Sequence, residues 1–278
     1  MSLLMLLLLV VCSILVLWAV QSLLLFLHKE NFAVPLRFES ERPGVRYPMK
    51  AMVHLLWAAI VTGYPSLIGS GPIAYFQAAF ATPPPWKTMT LMMSLVLTGF
   101  AVVNIVGFLS SDIKIGPRYS APRIIRKVIA SILTAVPIAI FEETVFRGVV
   151  LSALLSALPA STIGKVIAIL ISSVLFSSVH FIKLHRPDKA MLQPAIGLFF
   201  VGNTLGTAYV TAGQTLWLPI ATHAAGILSV EIMRPFVIYQ GNHSFLVGYR
   251  STPHSGILGI SLMFGLCILL ATQIIRPW

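Results

Sequence analysis

The run VIASILTAVPIAIFEETVFRGVVLSALLSAL, Val128 to Leu158, holds Glu142, Glu143 and Arg147 inside an otherwise apolar stretch. It is longer than the ~20 mainly apolar residues a helix needs to cross a bilayer, and too hydrophobic to belong on a water-facing surface. Ionisable side chains at that depth are costly, so they mark a function and call for a partner. The chain has only eight acids, and two of them stand side by side here.

Composition extends this reading to the whole chain. Of 278 residues, 57% are hydrophobic and only 10% charged, which is the range of polytopic membrane proteins and not of soluble domains. The net charge of +11 does not imply a nucleic-acid partner, because the basic residues are scattered between apolar runs. Cys12 and Cys267 both lie within such runs and form neither a disulfide framework nor a metal-binding cluster.

Windows of spanning length fall at about 3–27, 49–69, 89–109, 128–157, 162–182, 194–212, 217–234 and 255–275. The first lacks a basic start and a small-residue cleavage site, so it reads as a retained anchor. Spans that alternate direction should leave Lys and Arg in every second loop. Fifteen of the nineteen do so: Lys29, Arg37, Arg42, Arg46 and Lys50; Lys114, Arg118, Arg123, Arg126 and Lys127; Lys183, Arg186 and Lys189; Arg234 and Arg250. The opposite side holds Lys87, Lys165 and Arg276. The expectation is an all-α, polytopic transmembrane helix bundle of about eight spans, with both termini outside. It forms one membrane domain in three parts: 1–120 with N-terminal helices and basic loops, 121–235 with the chemistry, and 236–278 with a loop and the last helix. No internal repeat is visible.

Within the central part, helical periodicity separates the two acids. Positions four apart face each other, so Glu143 pairs with Arg147, while Glu142 is turned by about 100° and is free to face a cavity as a general base. Pro137 can kink the helix and open room beside them. A purely structural salt bridge would account for one Glu and one Arg, but not for the second Glu.

His180, in Phe176-Ser-Ser-Val-His180, ends the fifth apolar window, and His223, after Thr222, lies early in the seventh. His28, His185, His243 and His254 fall in loops and His54 at an interface, and none of these needs a special explanation. Two intramembrane histidines beside a paired acid can hold a water, share its proton and donate to a developing oxyanion.

Glu-Glu-x-x-x-Arg at 142–147, Phe-x-x-x-His at 176–180, and His223 after Thr211-Ala-Gly-Gln-Thr-Leu-Trp-Leu-Pro-Ile resemble the three ordered motifs of the CAAX prenyl protease and bacteriocin-processing family of intramembrane endopeptidases. The resemblance covers about residues 125–235. It implies hydrolysis of a peptide bond in a membrane-associated protein or peptide. Glu142 and His180 would activate water, Glu143, Arg147 and Phe176 would support the site, and His223 would stabilise the oxyanion. It implies a glutamic enzyme without a cofactor; zinc on two His and one or two Glu is the minority alternative. The family pattern continues with Asn one turn after the third-motif histidine, where this chain has Ile227. A second oxyanion donor is therefore missing, and Asn203, Thr222 or Ser229 are the candidates to replace it. Glu231 reads as interfacial.

Straight spans would put His180 near the inner end of its helix and His223 near the outer end of its own, so a shared site requires tilted or broken helices. Pro219, Gly202, Gly206 and Gly213 make a short or re-entrant hairpin the expected solution. Two other readings stand beside the protease. One is an inactive family member acting as a membrane scaffold or regulator, favoured by Ile227; the other is a proton-coupled transporter, which predicts repeats and a polar pore. Short loops favour a bacterial plasma-membrane protein with the lipid bilayer and a membrane-associated substrate as partners.

Overall fold

A computed structural model describes residues 2–27, 43–182, 192–240, 243–249 and 252–275. Lys29, Arg37, Arg42, Lys183, Arg186, Lys189, Arg250 and Arg276, with His28 and His185, lie outside them.

The eight apolar windows are all helical: α1 (Ser2–Leu27), α2 (Pro43–Leu67), α4 (Trp86–Leu109), a continuous rod from α5 (Ala121–Glu143) to α6 (Ser152–Ala157), α7 (Thr162–Ile182), α8 (Leu192–Thr211), α9 (Trp217–Met233) and α10 (Ile257–Ile275). A short helix, α3 (Pro72–Ala79), falls between two windows. Among the described residues, Val10–Leu27, Trp86–Leu109, Ala121–Ala157 and Thr162–His180 are long and apolar enough to cross a membrane, and Trp217–Met233 and Ile257–Thr272 are shorter apolar helices. The protein is an all-α integral membrane bundle.

The helices are built inside out relative to a soluble protein. On α7, Val166, Ile167, Leu170, Ile171, Val174 and Leu175 are exposed, while Ser172, Ser173 and Ser177 are buried with Phe176. Apolar side chains gain from lipid, and small polar ones allow close helix contact and find carbonyl partners inside. Ser173 Oγ donates to Ile169 O and Ser177 Oγ to Ala195 O on α8. Gly202 and Gly206 of α8 complete this contact: a Cβ at Gly202 would lie 3.0 Å from Ser173 Cα, and one at Gly206 3.1 Å from Ile169 Cγ2. A second cluster, with Val96, Phe100, Leu218, Ala225 and Met263, joins α4, α8, α9 and α10.

Three irregularities position the site. Thr144–Leu151, between α5 and α6, is a π segment, so the rod changes helical form immediately after the glutamates, seven residues beyond the expected kink at Pro137, which lies inside α5. Such a segment displaces carbonyls from the α pattern; Tyr75 of α3 donates to Gly148 O, and Ser152 Oγ donates to Arg147 O at 3.3 Å. Next, the α8–α9 turn, with Gly213 and Gln214 at φ 69° and 63°, is covered by the 79–82 segment. Leu216 N donates to Ala79 O and Trp217 Nε1 to Thr82 O, and Thr215 and Leu216 are buried. Finally, β1 (Ile113–Ile115) pairs antiparallel with β2 (Val237–Tyr239), tying the approach to α5 to the exit from α9. A second hairpin, β3 (His243–Ser244) with β4 (Gly248–Tyr249), leads into a 3₁₀ turn, Pro253–Ser255, ahead of α10.

Candidate active site

The expected difficulty of depth is met by the sunken turn. At about 1.5 Å per residue, the rod runs roughly 22 Å beyond Glu142, whereas α9 begins only roughly 9 Å before His223. The α8–α9 turn therefore stops short of the α6–α7 end, and His223 lies at the level of Glu142. His180, near the end of α7, reaches the same level from the other direction.

Glu143 and Arg147 form a fully buried pair: Arg147 Nη1 donates to Glu143 Oε1 at 3.1 Å. Arg147 Nη2 donates to Gly202 O at 3.0 Å, and its guanidinium carbon sits 4.8 Å from the Phe176 ring centre. Their partners offset part of the cost of burying these charges, Glu143 Oε2 and Arg147 Nε being buried without one, and α5, the π segment, α7 and α8 all meet at this arginine. Phe176 also packs edge-on against Phe146 and His223 and lies tilted 4.5 Å from His180, centre to centre.

Glu143 has a second partner that local periodicity does not reveal. His223 Nδ1 lies 2.7 Å from Glu143 Oε1. A carboxylate paired with Arg147 has no proton to give, so Nδ1–H is the donor. His180 is fixed likewise, its Nδ1–H donating to Phe176 O at 2.8 Å. Each ring therefore turns Nε2 toward Glu142: His180 Nε2 is 3.5 Å and His223 Nε2 3.7 Å from Glu142 Oε2. Holding one nitrogen to orient the other is the same device that fixes catalytic and metal-bound imidazoles.

This constellation lies on a cavity of about 600 Å³. Glu142, His180, His223 and Phe176 line it, with Phe100, Leu198, Val201 and Met263 on its apolar walls. It continues along α5 and α9 to Lys127, Glu231 and Arg234, and Arg234 Nη1 donates to Glu231 Oε1 at 2.7 Å. Ile227 presents its apolar chain to the cavity one turn after His223. Asn203 is not brought to it: its Nδ2 donates to Phe199 O at 2.8 Å on its own helix. Ser229 likewise donates to Ala225 O. Among the described residues, no group of three or more His, Cys, Asp or Glu side chains is arranged to hold a metal ion; His180 and His223 approach Glu142 individually.

Residues 124–226 match the model of a family described as type II CAAX prenyl endopeptidase Rce1-like. Over that segment the chain is similar to the Rce1-like family. The Rce1-like segment contains Glu142, Glu143, Arg147, Phe176, His180 and His223, and ends one residue before Ile227. Comparisons with curated proteins and with solved structures returned no match. The cavity draws on more than the Rce1-like segment. His254, which the sequence places in an ordinary loop, lines it from the 3₁₀ turn before α10.

Proposed function

We propose that the protein is an intramembrane endopeptidase of glutamic type that hydrolyses a peptide bond in a membrane-associated protein or peptide. The observation that carries this is Glu142, flanked by two imidazole Nε2 atoms on a largely apolar cavity. Glu142 takes a proton from a water that His180 Nε2 holds by accepting its other hydrogen. The water oxygen bonds to the scissile carbonyl carbon and the carbonyl electrons move to its oxygen. His223, held against Glu143, carries a proton on Nε2 and donates to that oxyanion. As the carbonyl re-forms, the C–N bond breaks and Glu142 returns its proton to the leaving amine. Glu143 and Arg147 hold the geometry. The basic end of the cavity, on the side where the positive charges concentrate, is the route by which substrate enters.

The test is cleavage of an internally quenched, farnesylated peptide with a CAAX terminus by the purified protein in liposomes. Wild type should cut it, and Glu142→Ala and His180→Ala should not. Equal cleavage by all three would remove the site. Loss of activity on chelation with recovery on added zinc would replace the glutamic mechanism by a metal-dependent one. A second reading, a scaffold without hydrolysis, is favoured by the apolar Ile227 at the cavity wall. Binding of the peptide without turnover would support it. The bacterial plasma membrane and outward termini belong to the same proposal, and a reporter fused at each end tests the orientation.

A further inference from the structure

The approach to α5 concentrates charge that nothing described around it cancels. Lys114, Arg118, Arg123, Arg126 and Lys127 follow one another closely in sequence, and Asp112 beside them accepts from Ser110 Oγ at 2.8 Å. The ion pairs among the described residues join Arg147, Arg234, His180 and His223 to Glu142, Glu143 and Glu231, and leave all five of these cations out. Three of the five gather on one ring. The Arg123 guanidinium carbon lies 4.5 Å, Lys127 Nζ 5.1 Å and the Arg118 guanidinium carbon 5.9 Å from the centre of Tyr119.

An aromatic face attracts a cation, but one ring does not cancel three charges. On α5, Arg123 is also one turn from both Arg126 and Lys127, and like charges three or four positions apart repel. The cluster is held on a fixed frame. Gly116 N donates to Phe236 O at 2.8 Å and Arg118 N to Pro235 O at 2.9 Å, continuing the β1 and β2 pairing to the exit of α9. Cations kept together in this way fit an anion with several oxygen acceptors. Phosphate is that anion, since guanidinium forks and an ammonium group both donate to it.

The surface that follows the cluster indicates what carries the phosphate. Arg126 shares a helical face with Ile129 and Leu133, three and seven residues on, and Ile125, Ile129, Ile132 and Leu133 are all exposed. In an integral membrane bundle such a face lies against acyl chains. Cations at the head of an acyl-facing stripe suit a molecule that joins an anionic head to apolar chains. Lys127 lines the cavity as well, so this head would sit beside the cavity's basic end.

We propose that Arg118, Arg123, Arg126 and Lys127, gathered about Tyr119, bind the phosphate headgroup of an anionic phospholipid whose acyl chains lie along the Ile129 and Leu133 face of α5. The site does not depend on the endopeptidase reading.

The experiment titrates the full-length protein, in an uncharged detergent, with dioleoyl phosphatidylglycerol or dioleoyl phosphatidylcholine and counts bound lipid by native mass spectrometry. Phosphatidylglycerol should bind at least about 10-fold more tightly than phosphatidylcholine. Each cation removed should weaken its binding about 5-fold, so Arg118→Gln with Arg123→Gln should weaken it about 25-fold. Tyr119→Leu, which releases the cluster, should weaken it about 2- to 5-fold. Lys87→Gln with Lys165→Gln removes the same charge elsewhere and should leave binding unchanged. Arg118 and Arg123 are exposed, so the melting temperature of their lipid-free variant should not fall, which separates lost binding from a lost fold. Wild type alone supplies a further measurement: its affinity for phosphatidylglycerol should drop as salt rises from about 0.1 M to about 1 M. Equal binding of the two lipids, equal losses in the two charge-removed pairs, or binding indifferent to salt would overturn the proposal. Displacement of the lipid by inorganic phosphate at equal concentration would overturn it in favour of a soluble phosphate.

Discussion

Helices α1 and α7 are both strongly apolar and both long enough to span a bilayer, yet they are built for different work. Along α1, Leu4, Leu7, Leu8, Val11, Leu15 and Val16 are exposed, and among its described side chains the buried ones are Gln21 and Leu25, near its end. On α7, exposed aliphatics alternate at helical spacing with Ser172, Ser173, Phe176, Ser177 and His180, which turn inward. Hydropathy alone does not distinguish such helices. The spacing of the few polar residues does, because in lipid a polar side chain must find a partner inside the protein. The wall of the proposed site is therefore made of helices with a polar stripe, and α1 packs beside α2 and α6.

The sharpest way to break this contrast is to remove chemistry without disturbing packing. Glu142 is partly open to the cavity and its neighbours approach at 3.5 Å and 3.7 Å. Glu142→Gln should lower kcat by about 10³- to 10⁴-fold while the thermal midpoint stays close to wild type. Arg147→Ala should do the reverse in character, removing the fold before the chemistry. It leaves the buried Glu143 charge without its cation and the Gly202 carbonyl without its donor, a change of about 3–5 kcal/mol, read as a collapse of the melting transition in detergent. No comparable loss should follow from any single substitution on α1.

His254 links stability to pH in a direction that can be checked. Its folded pKa, lowered to about 4 chiefly by burial and then by His180, lies below the ordinary imidazole value of about 6.5. The stability it contributes is thus complete above about pH 6.5 and is lost as the pH falls toward 4, up to about 3 kcal/mol. The charged and titratable groups that share its cavity are Glu142, His180 and His223 and, further along, Lys127, Glu231 and Arg234. Melting temperatures measured from pH 7 to pH 4 should fall, and His254→Gln should flatten that part of the curve. An unaltered slope in the variant would place the acid sensitivity on other groups of the protein.

Much of this was legible because bilayers impose simple rules. Windows of about twenty apolar residues became helices, and a four-residue spacing placed Arg147 over Glu143. What periodicity cannot see is a contact made across eighty residues. The bond from His223 to Glu143 depends on how far the α8–α9 turn sinks, and that depends on Ala79 and Thr82 beneath it. The π segment has no signature in its residues, since its displaced carbonyls are satisfied by Tyr75 from α3 and by Ser152 directly after it. Asn203 and His254 stand where the spacing of polar residues does not predict. Asn203, an amide in an apolar helix, does not line the cavity and donates to Phe199 O of its own helix, whereas His254, in a loop by sequence, is carried to the cavity by a tightly built turn.

The smallest effects should come from the surfaces of α7 themselves, and they test whether its two faces really differ. Leu170, on the outer face, is 41% exposed; Leu170→Ala removes side-chain volume where lipid fills the gap, and should shift stability by no more than about 0.5 kcal/mol. Gly202→Ala adds only one carbon to the inner contact, yet that carbon would lie 3.0 Å from both Cα and Cβ of Ser173. The α7–α8 pair must then separate, at about 1–3 kcal/mol. Because Gly202 O also receives Arg147 Nη2, the separation should move the arginine and, through Glu143, His223. Gly202→Ala is therefore expected to lower kcat as well as melting temperature, whereas Leu170→Ala should leave kcat alone. If the two substitutions proved equally mild, the inner face of α7 would be as deformable as its lipid face, and the precision attributed to the site would have to come from elsewhere.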